Sequence, residues 1–109
     1  MPWLLRDGDV LCSVEVAGGP LGRGRGLLGR TSLDGALLLR PALQVHTLGM
    51  RFPIDVAYVD TSMRVLDVVC SMAPWRIGAP RWKARAVLEA EAGAFERWGL
   101  RVGDVLEVR

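Results

Sequence analysis

The chain has 109 residues and a formal net charge of +2, and half of its residues are hydrophobic. A chain of this length buries roughly two thirds of its unfolded surface on folding, so we expect a single domain over residues 1–109 with a packed core rather than a disordered chain. The longest uncharged run is the ten residues 41–50, which is too short for a membrane-spanning helix of ~18 residues. We therefore expect no membrane partner.

The N-terminal residues and the two cysteines indicate the cellular compartment of the protein. Residues 1–7 lack both a basic start and a long apolar segment, which predicts no secretory signal and, by default, a cytoplasmic location. Cys12 and Cys70 lie 58 positions apart and belong to no paired-cysteine motif. They are predicted to be buried apolar side chains in a reducing compartment, with a single disulfide as the alternative.

The first half of the chain predicts short strands separated by glycine-rich turns. Asp9–Val16 alternates as a strand does. Residues 21–30 contain four glycines and three arginines, a composition that disfavours a stable helix. We interpret this stretch as a solvated turn anchored by leucines; the alternatives are a short helix near residue 25 and a flexible anion-binding loop.

Two further short strands and a turn are predicted before residue 50. Ser32–Gly35 has the composition of a turn, and Ala36–Leu39 is an apolar run typical of a buried strand. Gln44–Thr47 predicts one more short strand.

The stretch from His46 to Asp60 concentrates the chemistry of the chain, because it holds the single histidine, an arginine and two aspartates. Pro53 fixes its own φ and lacks a backbone donor, so the polar segment ends there. From Ile54 the residues alternate, which predicts a half-buried strand up to Val59.

A hairpin is predicted to follow this strand. If Thr61–Met63 forms a three-residue loop, the next strand runs from Arg64 to Cys70 and Tyr58 lies opposite Leu66. In that register Asp55 and Asp67 are diagonal neighbours, about 5 to 7 Å apart.

Residues 72–85 form a predicted irregular loop, because two prolines and a glycine interrupt any regular pairing. The loop alternates aromatic and cationic side chains, which could stack on bases and hold phosphates. The other interpretation is that both tryptophans are lids over the core, with arginine stems packed on them. The candidate nucleic-acid residues are Trp75, Arg76, Arg81, Trp82 and Lys83.

The C-terminal third predicts a strand, a short helix and a last strand. Ala84–Glu91 alternates with one small-residue face, Ala92–Trp98 is a helix that Gly99 ends, and Val105–Val108 is the final strand. The predicted fold is α+β with β dominant: six to seven short, mainly antiparallel strands curled into a barrel-like or two-sheet arrangement, with one or two short helices.

Five blocks of sequence, in this order and at compatible spacing, resemble the domain-of-unknown-function 192 family, a small group of bacterial and archaeal proteins. The blocks are GLLGR at 26–30, GALL at 35–38, HTLGMRFPID at 46–55, VLEAEAG at 87–93 and GLRVGD at 99–104. The resemblance covers about residues 20–108. It implies a small β-rich fold and carries no agreed activity.

Three functions remain open. The first is a binding or accessory module that recognises a small anionic ligand or a protein partner through the polar patch between His46 and Asp55, with the candidate residues His46, Met50, Arg51, Asp55 and Glu89. The second is a hydrolase or transferase that uses His46 with Asp55 and Asp67 as acid–base groups. The third is an RNA or single-stranded DNA binder that uses the 75–85 loop.

A non-enzymatic role is favoured because no nucleophile motif accompanies these groups. One histidine with scattered carboxylates lacks a recognised metal-ligand spacing, so neither a metal nor a cofactor is predicted.

Overall fold

The computed structural model describes residues 2–18 and 34–109. In chain order these residues form β1 (Trp3–Arg6), β2 (Asp9–Ala17), β3 (Ala36–Leu39), β4 (Ile54–Val59), β5 (Val65–Met72), β6 (Ala86–Glu91), α1 (Ala94–Trp98) and β7 (Leu106–Val108). The interpretations made for residues 21–30, and the first two residues of the predicted 32–35 turn, lie outside the described residues.

The described strands form one seven-stranded sheet in the order β5-β4-β6-β3-β2-β1-β7. Among them β2 and β3 run parallel, and the other neighbouring pairs are antiparallel. The long strand β2 is shared, because residues 9–13 pair with β1 and residues 14–17 pair with β3. It therefore joins two parts of the sheet: a small sheet of β1, β7 and the start of β2, and a larger one of β3, β4, β5, β6 and the end of β2.

The two edge strands approach each other at one corner. Arg64 and Val105 form an isolated bridge, and the Leu106 amide donates to the Met63 carbonyl over 2.9 Å. The sheet thus curls as a barrel does without closing into one. This arrangement confirms the predicted β-dominant α+β fold.

The central strands β3, β4 and β6 are buried on both faces. One face, which we call the inner face, packs against α1 and the small sheet through residues such as Leu4, Leu88 and Phe95. The other, the outer face, packs beneath loops through Val45, Met50 and Tyr58. The prediction that β4 is half-buried is therefore wrong, because the connections 40–53 and 73–85 cover the face that would meet water.

The predicted register of the β4–β5 hairpin is also wrong. Tyr58 lies opposite Asp67 rather than Leu66, and the pairing is irregular at two places along β4. Each irregularity shifts the side chains of β5 relative to β4, which an alternating pattern alone does not reveal.

Smaller differences concern the ends of elements and the cysteines. β1 was not predicted, since four residues give too short a pattern. The predicted strand 44–47 is reduced to one bridge between His46 and Ile77. Cys12 and Cys70 are both free, and Cys70 is exposed rather than buried.

The helix α1 begins at Ala94 and ends at the predicted residue. Gly99 adopts the left-handed conformation with φ 64°, and its amide donates to the Glu96 carbonyl. A glycine carries no Cβ penalty in that conformation, which explains the stop.

Candidate functional site

Asp55 lies on the inner face and serves as a structural hub. It is 1% exposed, and its carboxylate accepts hydrogen bonds from the amides of Ser71 at 2.8 Å, Gly93 at 3.0 Å and Phe95 at 3.1 Å. Gly93 precedes α1 and has no side chain to cap it, so a carboxylate from β4 satisfies the first free amides of the helix. These bonds occupy both carboxylate oxygens of Asp55.

Asp67 lies on the outer face, away from Asp55. Its register partner Tyr58 belongs to the outer cluster, whereas Ala90, the partner of Asp55, belongs to the inner one. Directly opposed residues of paired strands point to the same side of a sheet. The two carboxylates therefore do not converge, and the predicted placement of Asp55 and Asp67 as diagonal neighbours is wrong.

Arg81 is held on the outer face by Asp67 and Tyr58. Its Nε donates to Asp67 over 2.8 Å, and its guanidinium carbon lies 4.5 Å from the centre of the Tyr58 ring. The hydrogen bond from Arg81 lowers the pKa of Asp67, and burial raises the pKa of Tyr58. Arg81 is consequently turned towards the protein rather than presented to a nucleic acid.

Thr47 joins the 40–53 and 73–85 loops through both its backbone and its side chain. It is fully buried; its hydroxyl donates to the Ala73 carbonyl at 2.6 Å and accepts from the Arg76 amide at 2.9 Å. Its own carbonyl accepts from the amides of Met50 and Trp75. The sequence analysis did not identify Thr47 as important. The one feature that could have indicated it is a threonine placed among apolar residues in a polar stretch.

Around this junction a group of side chains remains exposed, which we call the loop surface: His46, Leu48, Trp75, Arg76 and Ile77. Trp75 is 65% exposed, and its backbone lies in the left-handed region with φ 64°. The Leu48 amide donates to Nδ1 of His46 over 3.3 Å, so this ring nitrogen is the acceptor. Trp82, 74% exposed, and Lys83 lie further along the 73–85 loop.

Glu89 is buried on the outer face of β6. It is 4% exposed and forms no hydrogen bond with the part of the chain that the structure describes. Burial raises the pKa of this carboxyl to about 7. No fully sealed polar side-chain atom among the described residues lacks a partner, so the small exposed fraction of Glu89 lies at its carboxyl oxygens.

Of the five predicted ligand-binding residues, His46 and Arg51 are exposed on the same loop, whereas Met50, Asp55 and Glu89 are buried. Within residues 2–18 and 34–109 no group of three potential metal-ligating side chains occurs. In the same ranges no helix is long and apolar enough to cross a membrane.

A cleft of about 360 Å³ was not predicted from the sequence. It lies where β3 ends and β6 begins, beside the β4–β5 turn, and is lined by Arg40, Pro41, Asp60, Thr61, Met63, Arg85 and Ala86. Its arginines are 45 positions apart in the chain, so no local motif joins them.

These features define a curled, β-dominant domain whose outer face is capped by two loops that are hydrogen-bonded to each other. The sequence model of the domain-of-unknown-function 192 family, described as "Uncharacterized ACR", matches residues 4–108. The chain belongs to this family.

Two archaeal relatives illustrate the similarity in sequence. A UPF0127 protein of Pyrococcus furiosus is 36% identical over 63 residues, which cover 58% of this chain and 53% of that protein. A UPF0127 protein of Thermococcus gammatolerans is 30% identical over 99 residues, 85% of this chain and 64% of that protein. The chain thus spans about half the length of the Pyrococcus relative that it matches.

Two solved structures share the fold. A protein from Sinorhizobium meliloti, described as a candidate transcription regulator, superposes with a TM-score of 0.84 and 23% identity over 98% of this chain and 91% of that one. A protein of unknown function from Novosphingobium aromaticivorans gives a TM-score of 0.79 and 22% identity, with 97% and 82% covered. At this identity the similarity concerns the fold alone.

Proposed function

We propose that this chain is a binding module that recognises a protein partner with acidic side chains through the loop surface. The observation that carries the proposal is the exposure of Trp75 and Ile77 on backbone that is firmly held. Tryptophan and arginine are among the residues that most often dominate the binding energy of protein interfaces, and Trp75 and Arg76 are adjacent in the loop surface.

The rigidity of the loops supports this proposal. The amides of Thr47, Trp75, Gly78 and Arg81 each donate to a carbonyl of the opposite loop at 2.8–2.9 Å, and Thr47 adds its side-chain bonds. A loop held in this way loses little further conformational entropy on binding. Trp75 is therefore exposed although the backbone of its loop is held by hydrogen bonds.

The charge of the same region favours an acidic partner. Residues 73–85 contain four basic and no acidic residues. Arg81 is engaged with Asp67, and Arg85 donates to the carbonyls of Trp82 and Ala84. Arg76 and Lys83 remain exposed, and complementary charge of this kind speeds and orients association.

A cytoplasmic location is part of the proposal. Both cysteines are free, and the thiol of Cys70 is exposed, which suits a reducing compartment.

The experiment is site-specific photo-crosslinking in cells with a benzophenone amino acid at position 75, matched by the same label at the exposed Val102 on another loop. We expect a discrete adduct from position 75 only. The identified partner, once purified, should bind Trp75→Ala and Arg76→Glu at least about tenfold more weakly and Val102→Ala with unchanged affinity. Identical adducts from both positions, or unchanged affinity of Trp75→Ala, would contradict the proposal.

A second candidate is single-stranded nucleic acid, which the exposure of both Trp75 and Trp82 favours. Each stacked base contributes about 1–3 kcal/mol, so two tryptophans and two exposed cations predict weak, salt-dependent binding. Tryptophan fluorescence titrated with oligothymidylate at low ionic strength tests this. No quenching there removes the nucleic-acid hypothesis.

A further inference from the structure

The cleft beside Arg40 lies at the mouth of the curled sheet. Leu39 pairs with Val87, and Val59 pairs with Ala86, so the residues just beyond β3 and β4 flank the start of β6. Ala86 has a short side chain, which leaves room above it. Ligand sites in β-rich folds commonly occupy such mouths.

Two arginines give the cleft its charge. The guanidinium of Arg40 forms no hydrogen bond or ion pair with any described residue. That of Arg85 is anchored through Nη1 alone, which donates to the carbonyls of Trp82 at 3.0 Å and Ala84 at 2.8 Å. The backbone of Arg85 is fixed as well, because its amide donates to the Val59 carbonyl and its carbonyl accepts from the Ala42 amide.

The acidic residue of the cleft, Asp60, accepts hydrogen bonds from its own turn. Oδ1 of Asp60 accepts from the amides of Ser62 at 2.8 Å and Arg64 at 3.0 Å, so this oxygen is engaged with backbone. The two arginines that line the cleft outnumber this single carboxylate. Met63, in the same wall, has φ 63°; it ends the three-residue hairpin loop 61–63, where a residue in the left-handed region is common.

We propose that this cleft binds a small organic anion, with a carboxylate or phosphate group against Arg40 and Arg85 and an apolar body against Met63 and Ala86. Arginine pairs such oxygens through parallel charged hydrogen bonds. The site is separate from the loop surface, so either can fail without the other.

The first test is a ¹H–¹⁵N correlation titration of the full chain with phenyl phosphate, benzoate and the neutral benzyl alcohol. We expect saturable shifts at the amides of Arg40, Asp60 and Ala86 with the anions and none with benzyl alcohol. The stronger of the two anions identifies the head group. Equal response to benzyl alcohol, or no saturable shift with either anion, overturns the proposal.

Variants then separate a specific site from general attraction. Arg40→Ala should weaken binding of whichever anion binds more tightly at least about tenfold, as loss of a charged hydrogen bond does. Arg40→Lys should recover part of this affinity. Arg51→Ala, which removes an exposed arginine outside the cleft, should leave binding unchanged. An equal loss in Arg40→Ala and Arg51→Ala overturns the proposal.

Discussion

Glu89 shows how one buried carboxyl couples the stability of the protein to pH. Its neighbours across the sheet, Leu37 and Val56, are apolar and buried, so the charged form loses hydration without gaining a partner among the described residues. A proton is therefore bound more tightly in the folded than in the unfolded state. Folding is favoured at low pH, and this contribution is lost as pH rises from about 4.5 to about 7.

We predict that Glu89→Gln removes this pH dependence. The difference between 4.5 and about 7 corresponds to roughly 3 kcal/mol, so the variant should be more stable than the parent at pH 8 by up to that amount and similar at pH 4.5. Urea unfolding at both pH values measures the effect.

The control for this prediction is Glu107→Gln, at an exposed position, which should leave the pH profile unchanged. If the free energy of unfolding changed with pH equally in the parent and in Glu89→Gln, the carboxyl would be hydrated in the folded state.

At the scale of elements, the polar segment that stands out in the sequence is largely scaffold. Asp55 connects β4 to β5 and α1, and Thr47 connects the two outer loops. Both residues are buried, and their polar atoms bond mainly to backbone amides and carbonyls. The concentration of polar residues between 46 and 55 thus reflects the satisfaction of buried backbone groups more than exposed chemistry.

We predict that Asp55→Asn destabilises the fold by about 3 kcal/mol, because a neutral amide cannot accept as the carboxylate does from three amides. Asp67→Asn on the neighbouring strand should cost less than about 1 kcal/mol, since that ion pair is partly exposed. Chemical unfolding compares the two. Faster hydrogen exchange at Gly93 and Phe95 in Asp55→Asn would locate the loss at α1, and equal costs for both variants would contradict the hub role.

We predict that Thr47→Val, which keeps the shape and removes the hydroxyl, costs about 2 kcal/mol and accelerates hydrogen exchange at Arg76. Thr47→Ser should retain most of the protection. Thr61→Val, at an exposed threonine, provides the matched control. Unchanged exchange at Arg76 in Thr47→Val would mean that the loops are held without the hydroxyl.

For the whole molecule, the sequence pattern predicted the β-dominant class and most of the strands, because β3 is an apolar run and the residues of β4 and β6 alternate. It could not predict the β4–β5 register, since Leu66, Val68 and Val69 let either face of β5 be apolar. Nor could it predict the cleft, whose Arg40 and Arg85 meet only through the β3–β6 pairing. Local patterns specify elements, whereas sites depend on which strand ends the topology brings together.

The curl of the sheet can be probed through Cys12. This residue lies opposite Leu4 on β1, and burial raises its pKa to about 11 from 9.0. In a Cys70→Ser variant we predict that Cys12 reacts with a disulfide reagent at pH 8 roughly a hundredfold more slowly than free cysteine, in proportion to its thiolate fraction. Added urea should bring the rate to that of an unfolded thiol as the sheet opens. Fast native reaction of Cys12 would mean that β1 detaches from β2 well below the global unfolding transition.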